Sequence, residues 1–182
     1  GHATRSRAWT RSLPPMTADL HPGDRVGLDF VDSAPGRFAN SVELNITPQQ
    51  LFEVLADADS WPRWAKVITN VEGTTPEPRG VGTTRLGTMR GGLLGSEEFL
   101  AWDEHTMMAF RFNEASEKRI KAFAERYDVV ATDTGCRLTW TMAMEVTGVA
   151  RHTLGLSKPV LNATFRRFLK NLRTYTDERY PS

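Results

Sequence analysis

The sequence of 182 residues has a single cysteine, Cys136, and lacks any run of about 18 uncharged apolar residues. One cysteine excludes an intrachain disulfide and a metal site built from several thiolates. The missing apolar run argues against a membrane-spanning helix. An excess of charge of one sign is also lacking, because 23 basic residues stand against 22 acidic ones, for a formal net charge of +1. We therefore expect neither nucleic acid as a partner nor stable insertion into a membrane.

Motifs for metal, cofactor or covalent chemistry are lacking as well. His105 and His152 have no histidine or carboxylate partner at metal-ligand spacing. The glycine-rich stretch at 91–95 lacks the Gly-Lys-Ser/Thr ending of a phosphate-binding loop and indicates a hairpin turn. We therefore predict neither a metal nor a cofactor. The first residues carry charge but no apolar segment, so no secretory signal is predicted and the chain is expected in the cytoplasm.

What is present indicates one globular domain preceded by an arm. Hydrophobic residues make up 40% and charged residues 25% of the sequence, as in a soluble protein with a packed core. Residues 1–36 differ from the rest, because arginine, Pro-Pro and Pro-Gly are frequent there. The first two residues resemble the remnant of an expression tag, and alternating apolar residues at 26–30 predict one short strand in an arm that is partly flexible. The folded domain is predicted over residues 37–182.

Seven runs of alternating apolar and polar residues predict strands joined by short turns. They cover residues 38–46, 67–72, 83–90, 96–102, 107–113, 121–131 and 137–147. Short connections require antiparallel neighbours. After the first strand, Thr47 as N-cap, Pro48 at the first helical position and Gln50 at the capping-box spacing predict a helix. A second, brief helix is predicted around residues 61–64.

A long helix is predicted at the end of the chain, over residues 158–179. At about 1.5 Å per residue this helix is about 33 Å long, which is enough to cross a small sheet. One face is rich in lysine and arginine, which face water or, as an alternative, touch an anionic membrane during lipid exchange. The other face carries one apolar stripe at steps of 4, 3, 4 and 3 residues: Leu161, Phe165, Phe168, Leu172 and Tyr175.

The order of elements predicts an α+β fold in which a curved antiparallel sheet of about seven strands wraps around the long C-terminal helix. Strand positions that face the helix are rich in large apolar side chains. Periodicity alone leaves open whether these side chains fill a packed core or line a pocket. The candidate ligand-binding residues are Trp64, Arg85, Met108, Phe110, Phe112, Phe123, Glu125, Tyr127, Trp140, Met142, Met144, Leu161, Phe165 and Phe168.

Taken in order, these elements resemble the START-like superfamily, also called the polyketide cyclase/dehydrase (SRPBCC) group, over residues 37–180. The resemblance rests on the segment at 47–57, on Trp-Pro-Arg-Trp at 61–64, on Gly-Val-Gly-Thr at 80–83 and on the closing helix. It implies a helix-grip fold, with two short helices after the first strand and a deep cavity between sheet and helix. The tryptophans at 61 and 64 are expected to plug or rim that cavity, or else to anchor the short helices.

Glu125 has the same strand phase as Phe123 and Tyr127, so its carboxyl group is predicted to face the interior. A buried carboxyl group is costly unless it is paired or neutral. We expect an ion pair with an arginine, and contact with the polar end of a ligand is the alternative. Arg85 is one candidate partner. Arg111 has the opposite phase to its apolar neighbours and is expected on the outer face.

Three functions remain open at this point. The first is binding or transport of a hydrophobic small molecule of lipid, polyketide or isoprenoid type, as the resemblance implies. The second is a cyclase/aromatase-type enzyme, for which Glu125 and Tyr127 are the candidate acid/base residues. The resemblance transfers no catalytic residues, because that superfamily has no invariant catalytic set. The third is an interaction module without a ligand, which forms a homodimer through the arm or a sheet edge.

Overall fold

The structure is a computed structural model that describes residues 19–75 and 79–182. The strands of this described part are β1 His21–Pro22, β2 Gly36–Leu44, β3 Ile68–Gly73, β4 Thr84–Met89, β5 Leu94–Asp103, β6 Met107–Ala115, β7 Ile120–Thr132 and β8 Gly135–Val146. The α-helices are α1 Asp29–Ser33, α2 Pro48–Ala56, α3 Trp61–Trp64 and α4 Ala150–Arg179, and a 3-10 turn at Ala58–Ser60 precedes α3.

Seven strands form one antiparallel sheet in the order β2-β8-β7-β6-β5-β4-β3, and the two-residue β1 adds to the end of β6. Strands β3 to β8 therefore lie side by side in chain order, as the short predicted turns require. Register shifts within β5–β6, β3–β4 and β7–β8 interrupt the ladder, and such bulges increase the twist and bend of a sheet. The curved sheet with a long C-terminal helix confirms the predicted helix-grip fold.

Helix α2 begins as the sequence predicts. The backbone N–H of Gln50 donates to Thr47 Oγ1 at 3.1 Å, and the backbone N–H of Thr47 donates to Gln50 Oε1 at 2.9 Å. Asp57 then ends α2 and starts the 3-10 turn, because its carboxylate accepts from the backbone N–H of Asp59 at 3.1 Å. The other carboxylate oxygen of Asp57 accepts from Arg179 Nη1 at 2.9 Å, so the same residue also holds the end of α4.

Helix α4 is longer than predicted, because it begins at Ala150 rather than at residue 158. The sequence pattern missed the first two turns because Pro159 ordinarily breaks a helix interior. Here Pro159 lies in an exposed part of α4, where water can satisfy the carbonyl group that lacks its helical donor. The apolar stripe is confirmed in part. Its buried members are Phe165, Phe168 and Leu172, joined by Leu169, whereas Leu161 and Tyr175 are half-buried.

Polar side chains fix α4 along β2 and α3. Asn40 Nδ2 on β2 donates to Asn162 Oδ1 at 2.9 Å, and Arg166 Nη1 donates to Asn40 Oδ1 at 3.3 Å. On the other side, Asn171 Nδ2 donates to the carbonyl oxygen of Trp64 at 3.3 Å. The C-terminal half of α4 is therefore held against the concave side of the sheet by both packing and hydrogen bonds.

Residues 26–34 pack on the convex side of the sheet. Val31 is fully buried there against Ala124 and Ala143. Arg111 reaches this outer layer, as expected, and its Nη1 donates to the carbonyl oxygen of Val26 at 3.1 Å. The predicted short strand at 26–30 is wrong, because the helix α1 begins at Asp29 and buries only one of its faces. The predicted tag remnant and residues 3–18 of the predicted arm lie outside the described residues.

Candidate functional site

A cavity of about 80 Å³ lies between the concave face of the sheet, α3 and the C-terminal half of α4. Ligand pockets for drug-sized molecules have roughly 300–1,000 Å³, so the cavity in this conformation takes only a small guest. Its outer end lies at the edge of the sheet, where Ile68, Val71 and Met89 are only partly buried and Val67 is exposed. We call this edge the mouth of the cavity.

Aromatic side chains form most of the wall. Tyr127 stacks on Trp140 with ring centroids 5.8 Å apart, and Trp61 meets Tyr127 edge-on at 5.6 Å. Trp140 in turn contacts Trp64 at 6.3 Å and Phe165 of α4 at 5.2 Å. Strands, α3 and α4 thus meet in one aromatic cluster, and this packing is what leaves the cavity small. The tryptophans at 61 and 64 line the cavity as buried residues, 2% and 0% exposed.

An ion pair is buried in the wall. Arg85 on β4 and Glu97 on β5 are cross-strand partners, and Arg85 Nε donates to Glu97 Oε2. The guanidinium carbon lies 4.9 Å from the ring centroid of Trp61, 4.9 Å from that of Phe110 and 5.0 Å from that of Phe99. These cation–π contacts supply part of the stabilisation that Arg85 loses when it leaves water. Burial raises the pKa of the Glu97 carboxyl, and the charge of Arg85 opposes that shift.

Glu125 faces the same interior from β7, as its strand phase predicts, and is 6% exposed. Trp140 Nε1 on the neighbouring strand donates to Glu125 Oε1 at 3.0 Å. Burial, and next the nearby charge of Glu97, raise the pKa of Glu125 from 4.5 to about 8. The carboxyl group is therefore mostly protonated at pH 7. The expected ion pair of Glu125 with an arginine is wrong, because Arg85 is engaged by Glu97 instead.

Two further polar side chains of the wall carry hydrogen-bond donors. Tyr127 is fully buried, and its ring contacts those of Trp61 and Trp140. Burial, with a smaller effect of the Glu125 charge, raises the pKa of Tyr127 well above 10, so the hydroxyl stays protonated. The indole Nε1 of Trp64 is likewise buried and has no hydrogen-bond partner in this part of the chain. A buried donor without a partner is uncommon and calls for an explanation.

Most of the residues selected from the sequence lie around this cavity. Those that line it are Trp64, Arg85, Phe110, Phe112, Phe123, Glu125, Tyr127, Trp140, Met142, Phe165 and Phe168.

Three selected residues do not line this cavity. Met108 is fully buried near α2. Its cross-strand partner Trp102 packs against Phe52 of α2, with ring centroids 5.3 Å apart. Met144 lies at the opposite end of the sheet and lines a separate groove beside the first half of α4. Leu161 lies on α4 before the helix reaches the cavity. Alternation gives the face of a strand that a side chain occupies. It does not show which part of that face the cavity takes up, because this depends on where the helices pack on the sheet.

Several lining residues were missed, and Glu97 is the most important. It has the same phase on β5 as Phe99, which is buried in the core, so alternation alone points it inward. Trp61, which was expected to plug or rim the cavity, also lines it. The remaining missed residues come from the turn after α3 and from the less regular strands β3 and β4, where the apolar pattern is weak. They are Ala65, Val67, Ile68, Val71, Gly87 and Met89.

Other chemistry has little support in the described chain. Cys136 is buried, and burial raises the pKa of its thiol to about 11, which disfavours the nucleophilic thiolate. Within residues 19–75 and 79–182, no three histidine, cysteine, aspartate or glutamate side chains come together as metal ligands would. In the same residues, no helix combines the length and the apolar character that crossing a membrane requires.

The fold and the cavity define a protein of the helix-grip, hydrophobic ligand-binding class. Residues 35–177 match the family described as polyketide cyclase / dehydrase and lipid transport, and the chain belongs to this family. An uncharacterized protein of Mycobacterium tuberculosis is 58% identical over 161 residues, which span 88% of this chain and 96% of that protein. A Mycobacterium bovis protein, also uncharacterized, matches to the same extent.

Solved structures show the same fold at low sequence identity. A START superfamily protein from Mycobacterium smegmatis superposes with a TM-score of 0.66 at 11% identity, over 79% of this chain and 98% of that chain. An aromatase/cyclase from Streptomyces superposes with a TM-score of 0.62 at 15% identity, over 80% of this chain and 96% of that chain. At these identities the likeness concerns the fold and not the ligand.

Proposed function

We propose that this protein binds and carries a hydrophobic small molecule of lipid, polyketide or isoprenoid type in the cavity between sheet and α4. The observation that carries the proposal is an apolar, aromatic cavity whose wall also contains Arg85, Glu97 and Glu125. Family membership supports it, because the family description includes lipid transport.

The buried charges favour a binding site over a purely structural core. A buried ion pair costs several kcal/mol of desolvation, and apolar replacement of such pairs is often neutral or stabilising. Fold stability alone therefore does not explain Arg85 and Glu97 beside a cavity. Ionisable groups with shifted pKa values in an otherwise apolar pocket are typical of functional sites.

The size of the cavity sets a condition on the guest. About 80 Å³ accommodates the head of a lipid-sized molecule but not the whole of it. The mouth lies at β3, an edge strand with hydrogen-bonded pairing on one side only. We propose that a larger guest extends out of this mouth or displaces β3 and the neighbouring Val67.

The function can be tested by extraction and by blocking the mouth. Native mass spectrometry of the purified protein, followed by solvent extraction, is expected to show a bound apolar molecule. Val71→Phe fills the mouth and is expected to abolish this adduct, whereas Glu72→Phe, on the exposed side of the same strand, keeps it. Full retention of the adduct in Val71→Phe would place the guest elsewhere on the protein.

A second candidate function is a cyclase-type enzyme, and the raised pKa of Glu125 favours it. A carboxyl group that titrates near neutral pH can both give and take a proton, which a polyketide cyclisation requires. The Streptomyces aromatase/cyclase has the same fold. Glu125→Gln is expected to remove turnover of a poly-β-ketone substrate while binding is kept. Unchanged turnover in this variant would rule out Glu125 as the acid/base.

A homodimer and a cytoplasmic location stay predictions. Both β2 and β3 are edge strands of the main sheet, and each offers a backbone that a second copy of the chain can pair with. Light scattering of the purified protein decides the oligomeric state.

A further inference from the structure

We propose that the polar end of the guest is an uncharged hydrogen-bond acceptor, such as a ketone or quinone carbonyl, and that the cavity rejects carboxylates. This inference rests on the proposed function, because it names the chemistry of a ligand in the same cavity. It follows from the hydrogen-bond donors that the wall offers and from the charges that the wall already contains.

The polar groups of the wall include hydrogen-bond donors. Trp64 Nε1–H has no partner among the described residues, and the hydroxyl of the fully buried Tyr127 is a second donor of the same wall. Glu125 uses one oxygen as an acceptor from Trp140, and its protonated form offers the O–H as a third donor. The second oxygen of Glu97, which lies beside Gly87, is an acceptor of the same wall. A carbonyl oxygen, with two lone pairs, satisfies such donors without bringing a donor of its own.

The charges of the wall are already balanced. Arg85 is paired with Glu97, and its guanidinium lies among the rings of Trp61, Phe99 and Phe110. A carboxylate guest would therefore add a second negative charge to a buried site that holds one cation. An unpaired buried charge is far more costly than a neutral dipole, so the anion is disfavoured and the carbonyl is accepted.

The rest of the wall recognises an apolar body. Around the polar cluster lie the side chains of Ile68, Met89, Met142 and Phe168, none of which carries a hydrogen-bond donor. The preferred guest is thus an apolar molecule with one neutral oxygen at its buried end.

The experiment compares three probes of similar shape: acetophenone, ethylbenzene and benzoate, which supply a ketone, a hydrocarbon and an anion. Dissociation constants are measured at pH 7 from the methyl resonances of selectively labelled methionine. Met89 and Met142 line the cavity and report binding there, whereas Met107 lies outside it and serves as the internal reference. The whole protein is used, first as wild type and then as Tyr127→Phe, Trp64→Phe and Tyr175→Phe.

We expect acetophenone to bind at least tenfold more tightly than benzoate. Tyr127→Phe or Trp64→Phe is expected to weaken acetophenone threefold to tenfold and to leave ethylbenzene unchanged, because only the ketone uses the lost donor. Tyr175→Phe, outside the cavity, changes neither. Using two independent cavity variants keeps the test decisive where one of them unfolds.

Three results would overturn the inference. Benzoate binding as tightly as acetophenone would show that the charges of the wall do not exclude an anionic guest. Equal weakening of acetophenone and ethylbenzene binding in the variants would show that the donors do not recognise the carbonyl group. Ethylbenzene that binds at Met89 and Met142 while both variants leave acetophenone unchanged would refute the carbonyl and leave the proposed function intact. Failure of all three probes to shift these methyl groups would count against the proposed function itself.

Discussion

Glu125 shows, at the scale of a single residue, how the fold sets a protonation state. Its folded pKa of about 8 lies above the ordinary 4.5, so the folded state keeps a proton that the unfolded state has lost between these two pH values. The contribution of Glu125 to stability is therefore fully present below about pH 4.5 and is lost as the pH rises to about 8. The direction is opposite to that of a carboxylate in a surface ion pair.

Glu125→Gln is expected to remove the loss of stability that accompanies the rise in pH. Over the window from pH 5 to pH 8, the wild type should lose up to about 1.4 kcal/mol of unfolding free energy per pH unit more than the variant does, since one proton is involved. Urea unfolding at several pH values measures the difference. Glu104→Gln, at an exposed turn, is the control and should follow the wild type. Equal slopes for wild type and Glu125→Gln would contradict the raised pKa.

The Arg85–Glu97 pair gives a second prediction at this scale. Glu97→Leu leaves a buried guanidinium without its counter-ion and is expected to cost about 3–5 kcal/mol. The double variant Arg85→Met/Glu97→Leu removes both charges and should recover most of that loss. Chemical denaturation of the two variants and of Arg85→Met completes the cycle. A double variant as unstable as the single one would show that the pair itself stabilises the fold.

At the scale of elements, α4 consists of two unlike halves. Its C-terminal half buries Leu169 and Leu172 in the hydrophobic core, where they are 1% and 0% exposed, whereas Leu156 in the first half is 84% exposed. In the first half, Leu154 and Leu161 pack against the core as partly buried side chains, so this half adds less to the stability of the core. Its first two turns, residues 150–157, are the part of α4 that the sequence failed to predict, since Pro159 follows them and Leu154 is their one partly buried large apolar residue.

The two halves can be compared by one substitution in each. Leu169→Ala is expected to cost about 2–5 kcal/mol of unfolding free energy, and Leu156→Ala less than about 0.5 kcal/mol. Both are read from thermal or urea denaturation. Comparable losses in the two variants would mean that the first half of α4 is packed against another surface in solution.

Local sequence signals predicted most elements, because α2 has its own cap and each of the seven strands β2 to β8 has its own pattern. The exceptions were positions where a local signal and the packing disagreed. Residues 26–30 alternate like a strand, but the segment closes into α1 because Val31 fits between Ala124 and Ala143 on the convex face. Such a long-range contact has no signature in the segment itself.

At the scale of the whole molecule, part of the site could be predicted and part could not. The hairpin turn at Gly91 and Gly92, which have φ of 85° and 84°, sets the register that pairs Arg85 with Glu97. That pairing follows from the turn and the strand phase together. The volume of the cavity does not, because it depends on how Trp61, Trp140 and Phe165 from separate elements meet in space.

The central claim is that the space between sheet and α4 receives an apolar guest. The most direct measurement is a crystal structure of the protein soaked with 4-bromoacetophenone, with the bromine located by its anomalous scattering. We predict a bromine peak towards Val71 at the mouth and the carbonyl oxygen within hydrogen-bond distance of Tyr127 or Trp64. A peak in the groove beside Met144, or a cavity that stays empty at a saturating probe concentration, would contradict the account.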